Sequence, residues 1–168
     1  MNVKITGKQP NSKMCFVCGI ENDFGLKSRF YELENNEIMA VFTPSDEHQG
    51  YPGRLHGGIA AAILDETIGR AVMKHKTLDY WGVTVDFAIK FRQPVSLDQE
   101  IRVIARVTRE KKRTFEGTGE ILLADNSVAV EGRGRYLKMD LSRITEYDFR
   151  GEEWQVRDEL DDPVEVTL

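Results

Sequence analysis

The chain has 168 residues, 40% of them hydrophobic, which is enough for one domain with a core of its own. A net charge of −5 is weak evidence against nucleic acid or an acidic membrane as the main partner. Two cysteines make no disulfide framework, no apolar run is long enough to span a bilayer, and the polar start from Met1 to Pro10 lacks the apolar core of a signal peptide, so the expectation is a cytoplasmic protein.

Residues 1–13 are polar and are expected to be a flexible N-terminus. The segment Cys15-Phe-Val-Cys18-Gly19 follows. A lone CxxC offers two of the four ligands zinc wants, and a redox CxxC belongs at a helix start after a strand. Polar residues 21–23 follow here instead. The motif reads first as a structural knuckle, with a metal shared with another segment or subunit, and redox chemistry, as the alternatives. Residues 26–33 and 37–42 read as two strands joined at Asn35-Asn36, since Asn tolerates positive φ. Pro44 ends the second, and a loop with Gly50, Pro52 and Gly53 follows.

A helix is expected from about Gly57 to Lys74. Residues 59–64 are apolar all round, as for a helix surrounded by protein. Arg70, Lys74 and His75 suit its negative end, and residues 77–82 read as a loop. Four strand-like runs come next: 83–91, 99–108, 114–123 and 128–139. In the first, Val83, Val85, Phe87, Ile89 and Phe91 share one face, with Thr84 on the other. The last two join across the turn Ala124-Asp-Asn-Ser127 and hold Gly117, Gly119, Gly132 and Gly134, which often mark bends or close backbone approach. From 140 to 168 periodicity is lost and acidic residues gather; 154–160 reads as a short helix and the end as a tail. The class is therefore α+β: one domain over 14–139, with a long central helix wrapped by a curved antiparallel sheet of five to six strands, and an acidic extension over 140–168. Its open edges favour pairing with another chain.

One helical residue resists a packing account. Glu66 has Arg70 at i+4 as a partner, whereas Asp65 has Ala61, Ala62, Ile68 and Gly69 around it. A carboxylate among small residues suffers desolvation unless a ligand or partner chain completes its surroundings, and the small residues leave room for one. The helix start at Gly57-Gly58 supplies unpaired N–H groups and a positive dipole end, which suit an oxyanion. A core carboxylate with a capping His56 accounts for the same residues.

His56-Gly-Gly, small apolar residues and Asp65 nine positions on resemble the signature of hotdog-fold acyl-CoA thioesterases of the phenylacetate-pathway type. The approach over 50–58, the opening Cys15-x-x-Cys-Gly19 with Gly25-Leu26, and residues 84–94 are similar to the same group, so the likeness covers about 14–139. It implies that Asp65 activates water or attacks a thioester carbonyl, and that Gly57 or Gly58 polarises that carbonyl. It also implies that His56 supports the helix start and that Thr84, from the other subunit of a dimer, positions water. The family often has Asn or Gln six residues before the histidine. Gly50 stands there, so Gln49 takes that role only through a one-residue loop shift. Arg92 and Arg113 are candidates for coenzyme A phosphates, although residues 109–113 also read as a charged hairpin turn. No cofactor or metal is expected, since a thiolate leaves readily. The expected partners are an acyl-CoA and further copies of the chain, as a homodimer or dimer of dimers, with no nucleic acid and no membrane. The alternatives are a non-catalytic acyl-CoA or small-ligand binding protein on the same fold, and a hydratase, for which Asp46 and His48 fit poorly.

Overall fold

A computed structural model describes residues 2–73, 80–147 and 154–168. The expected helix end at Lys74, the basic His75 and the loop start at Thr77 lie outside these residues. Among the described residues, eight strands form one antiparallel sheet: β1 (Asn2–Gln9), β2 (Arg29–Leu33), β3 (Ile38–Phe42), β4 (Trp81–Phe91), β5 (Ile101–Glu110), β6 (Thr114–Leu122), β7 (Val128–Met139) and β8 (Glu165–Thr167). Their spatial order is β4-β7-β6-β5-β3-β2-β1-β8. The helix α1 (Gly57–Arg70) packs against β3 to β7 and continues as a 3-10 turn over Ala71–Met73. No helix among the described residues is long and apolar enough to cross a membrane.

The sheet has more strands than the five to six expected, and the additions are the chain's two ends. Residues 2–9, expected to be loose, pair with β2, and the expected tail contributes β8, with Asn2 opposite Thr167. Val3 and Val166 join Tyr31, Leu33, Met39, Val41 and Ile104 in a second apolar cluster on the sheet face away from α1. This is why all five residues of β3 are buried. Residues 154–160 form no helix; Gln155 bridges to Asn11, and Trp154 packs edge-on against Trp81 at 4.5 Å. The loop expected up to Gly82 ends earlier, since β4 begins at Trp81.

Local chemistry explains the turns. Asn36 takes φ 67° between β2 and β3, and Asn126 takes φ 65° between β6 and β7. Asp125 fastens the second turn by accepting from the Ser127 N–H at 2.9 Å and its hydroxyl at 2.6 Å.

The main core lies between α1 and the concave face of the sheet. Ile63, Leu64 and Ile68 are fully buried there, and each such side chain contributes about 1.5–3 kcal/mol. Where Ile68 meets the sheet, Gly117 faces Gly134 and Gly119 faces Gly132 across β6 and β7. A Cβ on Gly117 would stand 2.7 Å from the Ile68 side chain and 2.8 Å from the Arg106 carbonyl oxygen. The missing side chains therefore let the sheet close on the helix. Gly117→Ala is expected to destabilise the chain by about 1–3 kcal/mol, the usual range for overpacking, measured by urea unfolding; an unchanged midpoint would show that this close approach carries no stability.

Candidate active site

The chain enters α1 through His56, which has extended backbone angles and caps the helix. Its ring Nδ1 accepts the Gly58 N–H at 2.9 Å, and its carbonyl accepts from Ile59 and Ala60. Gly58 is thus already engaged. The Gly57 N–H has no acceptor among the described residues, which leaves it as the donor at the helix start. The Phe91 ring lies against Gly57. Gln49 is exposed, and its side-chain oxygen accepts the Gly53 N–H at 3.3 Å, closing the loop before the helix. His48 is buried and fully employed: its Nδ1 accepts the Ser45 N–H at 3.0 Å, and Nε2 donates to the Phe24 carbonyl at 2.9 Å. It holds the loop together and is not free for acid–base work.

Two turns further on, Asp65 is half-buried. The Thr84 hydroxyl donates to its carboxylate, 2.9 Å from Oδ1 and 3.1 Å from Oδ2. The Tyr136 hydroxyl approaches from β7, 3.1 Å from Oδ1 and 3.2 Å from the Asp65 carbonyl oxygen. Burial pushes the Asp65 carboxyl above its ordinary value, and the hydrogen bonds from Thr84 and Tyr136 oppose that rise. Burial, with the neighbouring Asp65 charge, holds the Tyr136 phenol protonated as a donor. Glu66 accepts from Arg70 at 3.0 and 2.8 Å, the partner expected for it.

Thr84 reaches Asp65 within one chain, where the family resemblance implied a second subunit, and a β-bulge explains how. Strict alternation puts Thr84 opposite Phe87, Ile89 and Phe91. The register with β7 slips between Thr84 and Asp86, however, which changes the parity of the strand at Val85. Gly82 and Thr84 then face α1 before the slip, and Phe87, Ile89 and Phe91 face it after. Gly82 is needed where it stands, because a Cβ there would come 3.0 Å from the Gly69 carbonyl oxygen.

Tyr136, which the sequence motifs do not single out, is brought to Asp65 by the fold. Its signal was an inward aromatic on a glycine-rich strand whose hydroxyl needs a partner once buried. The two arginines are not brought together: Arg92 follows the Phe91 end of β4 and pairs with Glu131 at 2.8 Å, while Arg113 lies in the β5–β6 turn beside the Trp81 end. At about 3.3 Å per residue those ends are roughly 30 Å apart.

Beside Asp65 and Thr84 opens a cleft of about 270 Å³ with Met73, Trp81, Val83 and Trp154 among its walls. A half-buried carboxylate carrying two hydroxyl donors, next to an apolar cleft, is suited to taking a proton from water or attacking a carbonyl carbon.

The Thioesterase superfamily matches residues 52–130, the stretch that holds the helix, Asp65, β4, β5 and β6. A mouse protein, acyl-coenzyme A thioesterase THEM4, is 22% identical over 135 residues, 79% of this chain and 57% of the mouse protein; the chain thus spans little more than half the length of the curated relatives it matches. Among solved structures, a thioesterase superfamily protein is 25% identical with a TM-score of 0.65, over 72% of this chain and 58% of that one. The Escherichia coli PaaI protein from the phenylacetic acid degradation operon gives a TM-score of 0.60 at 17% identity, over 68% and 80%. The fold is the hotdog: one helix wrapped by a curved antiparallel sheet.

The raised Asp65 value has a thermodynamic sign. A carboxyl whose folded value exceeds its unfolded one binds a proton on folding, so its contribution to stability is present below the unfolded value and lost as pH rises through the folded one. At pH 7 the charged group therefore opposes folding, and Asp65→Asn is expected to raise the thermal midpoint there, with the gain disappearing towards pH 3. A lower midpoint at pH 7 would mean that the hydroxyl bonds outweigh burial.

Proposed function

We propose that the chain hydrolyses an acyl-CoA thioester, with Asp65 as the group that activates water or attacks the carbonyl carbon. The observation that carries this reading is the Asp65 carboxylate held 2.9 Å from the Thr84 hydroxyl and 3.1 Å from that of Tyr136, at the mouth of an apolar cleft. In the water route, Asp65 takes a proton as the water oxygen bonds to the carbonyl carbon. The tetrahedral oxyanion collapses, the C–S bond breaks, and the thiolate leaves and is protonated. A thiolate leaves well enough that no metal or cofactor is called for. The cleft takes the acyl group. Arg92, close to the helix start, is the better placed of the two arginines for coenzyme A phosphates, provided it exchanges Glu131 for them.

The donor for the oxyanion comes, in this reading, from a second copy of the chain. Along one helix the Gly57 N–H and Asp65 are about 12 Å apart, at 1.5 Å per residue, too far to serve one carbonyl. Three features support a dimer. β4 is an edge strand with Val85 and Phe91 about half exposed. The α1 flank at Ile59, Ala61 and Ala62 is covered only in part. Thr84 is exposed although it serves Asp65. Twofold pairing of β4 with its copy sets the two helices head to tail and carries the second Gly57 towards the first Asp65.

Mixing two variants tests the whole reading. Asp65→Asn is expected to lose about 10²–10⁴-fold in thiol release from an acyl-CoA. Gly57→Pro is expected to fail as well, since proline is tolerated at the first helical position but lacks the N–H. Random re-pairing of the two is expected to restore about a quarter of wild-type activity, because half the dimers then hold one intact site of two. No recovery would place both groups in one chain. Full activity in Asp65→Asn, or acyl-CoA binding without turnover in the wild type, would leave a binding protein.

A further inference from the structure

The second cluster of reactive side chains lies on the other side of Asp65's neighbour. The segment Cys15 to Gly19 forms a tight knuckle: the Gly19 N–H donates to the Cys15 carbonyl at 2.8 Å, and the Val17 N–H donates to the Cys15 sulfur at 3.3 Å. A Cβ on Gly19 would fall 2.3 Å from the Cys15 carbonyl oxygen, so only glycine fits. Both cysteines are free thiols. Asn11 pins the knuckle, its amide donating to the carbonyls of Cys18 at 2.7 Å and Ser28 at 2.8 Å. The knuckle delivers Cys15 to α1, where its sulfur lies 3.3 Å from Glu66 Oε2.

We propose that Cys15, Cys18 and Glu66 form a binding site for a thiophilic divalent cation, zinc in the first instance, which clamps the N-terminal knuckle to α1 one residue beyond Asp65. The two sulfurs and a Glu66 carboxylate oxygen all lie within 4.8 Å of one another. A tetrahedral zinc with bonds of about 2.3 Å to sulfur and 2.0 Å to oxygen sets its ligands about 3.5–3.8 Å apart, so small side-chain adjustments close the site. Glu66 is oriented for the task. Its Oε1 is held by Arg70, which is itself 3% exposed and packed over Phe30 at 4.0 Å, leaving Oε2 turned to the sulfurs. The charge balances too. Zinc displaces one proton from each thiol, Zn²⁺ + 2 R–SH giving Zn(SR)₂ + 2 H⁺, so the cluster with Arg70 carries the same net charge before and after.

One further observation agrees. The single Cys15 thiol proton, donated to Glu66 Oε2 at 3.3 Å, has the Cys18 sulfur as a second neighbour within 4.8 Å. Two thiolates and one carboxylate leave a fourth position for water. Cys15 and Glu66 both stand on the cleft that Asp65 lines, so a bound ion would stiffen that wall without touching the carboxylate.

Cobalt(II) is the optical probe, added to the full chain after chelator treatment and reduction with a phosphine. One equivalent per chain is expected, with a thiolate-to-cobalt charge-transfer band that zinc abolishes at a 1:1 ratio. Cys15→Ser and Cys18→Ser are each expected to lose the band, and Glu66→Gln to keep a thiolate band while binding more weakly. Because the cysteine variants can misfold, the wild type is also alkylated with and without zinc, and zinc is expected to protect both thiols as read by mass spectrometry. A reduced wild type with no band, a band that survives Cys18→Ser, or thiols alkylated equally fast with zinc present would each overturn the site. None of these readouts depends on thioester hydrolysis.

Discussion

The closeness of α1 to the sheet is the constraint on which the rest depends. It is set by what is missing from the sequence: Gly117, Gly119 and Gly132 leave space for Ile68 and Leu64, Gly134 leaves space for the Tyr136 ring, and Gly82 leaves space for the Gly69 carbonyl. A helix standing further out would bury the same apolar residues less well, and the Asp65 carboxylate would lie beyond the reach of Thr84 and Tyr136. Packing and chemistry share one origin here. The glycines that bring Ile68 into the core also bring a carboxylate against two hydroxyls from two strands.

That arrangement carries a conflict that a purely structural carboxylate has no need to keep. Burial disfavours the charge on Asp65 while Thr84 and Tyr136 favour it. Glu66, one residue on, is instead paired with Arg70 at 2.8 Å. Neighbouring acids on one helix are thus sorted by their surroundings, one tied into an ion pair and one left exposed to whatever enters the cleft.

The sequence disclosed most where the physics is local. The Glu66–Arg70 pair is an i,i+4 contact, the Asn36 turn is a single residue at positive φ, and the long alternating runs after the helix are strands at nearly the expected bounds. It was silent where one residue changes parity: alternation turned Thr84 away from the apolar face of β4, and the bulge at Val85 turns it back. It was silent too where partners lie far apart. Val3 and Ile5 alternate too briefly to announce a strand, and Asn2 finds Thr167 only after the intervening chain has folded. Residues 154–160 read as a short helix, but Trp154 is committed to Trp81 and Arg70. The glycine start and Asp65 were readable as two active features. Their separation of two turns along one rigid helix is why the proposed mechanism draws them from two copies of the chain.

The central claim is that the ionised Asp65 carboxylate, tuned by Thr84, performs the reaction. The pH dependence of kcat/KM for thiol release, compared between wild type and Thr84→Val, tests it most directly. The wild type is expected to gain activity with rising pH along an acid limb above the ordinary aspartate value of about 3.9. Loss of the Thr84 hydrogen bond removes support for the charged form, so that limb is expected to move to higher pH in the variant. An acid limb at the same pH in both proteins would contradict the account.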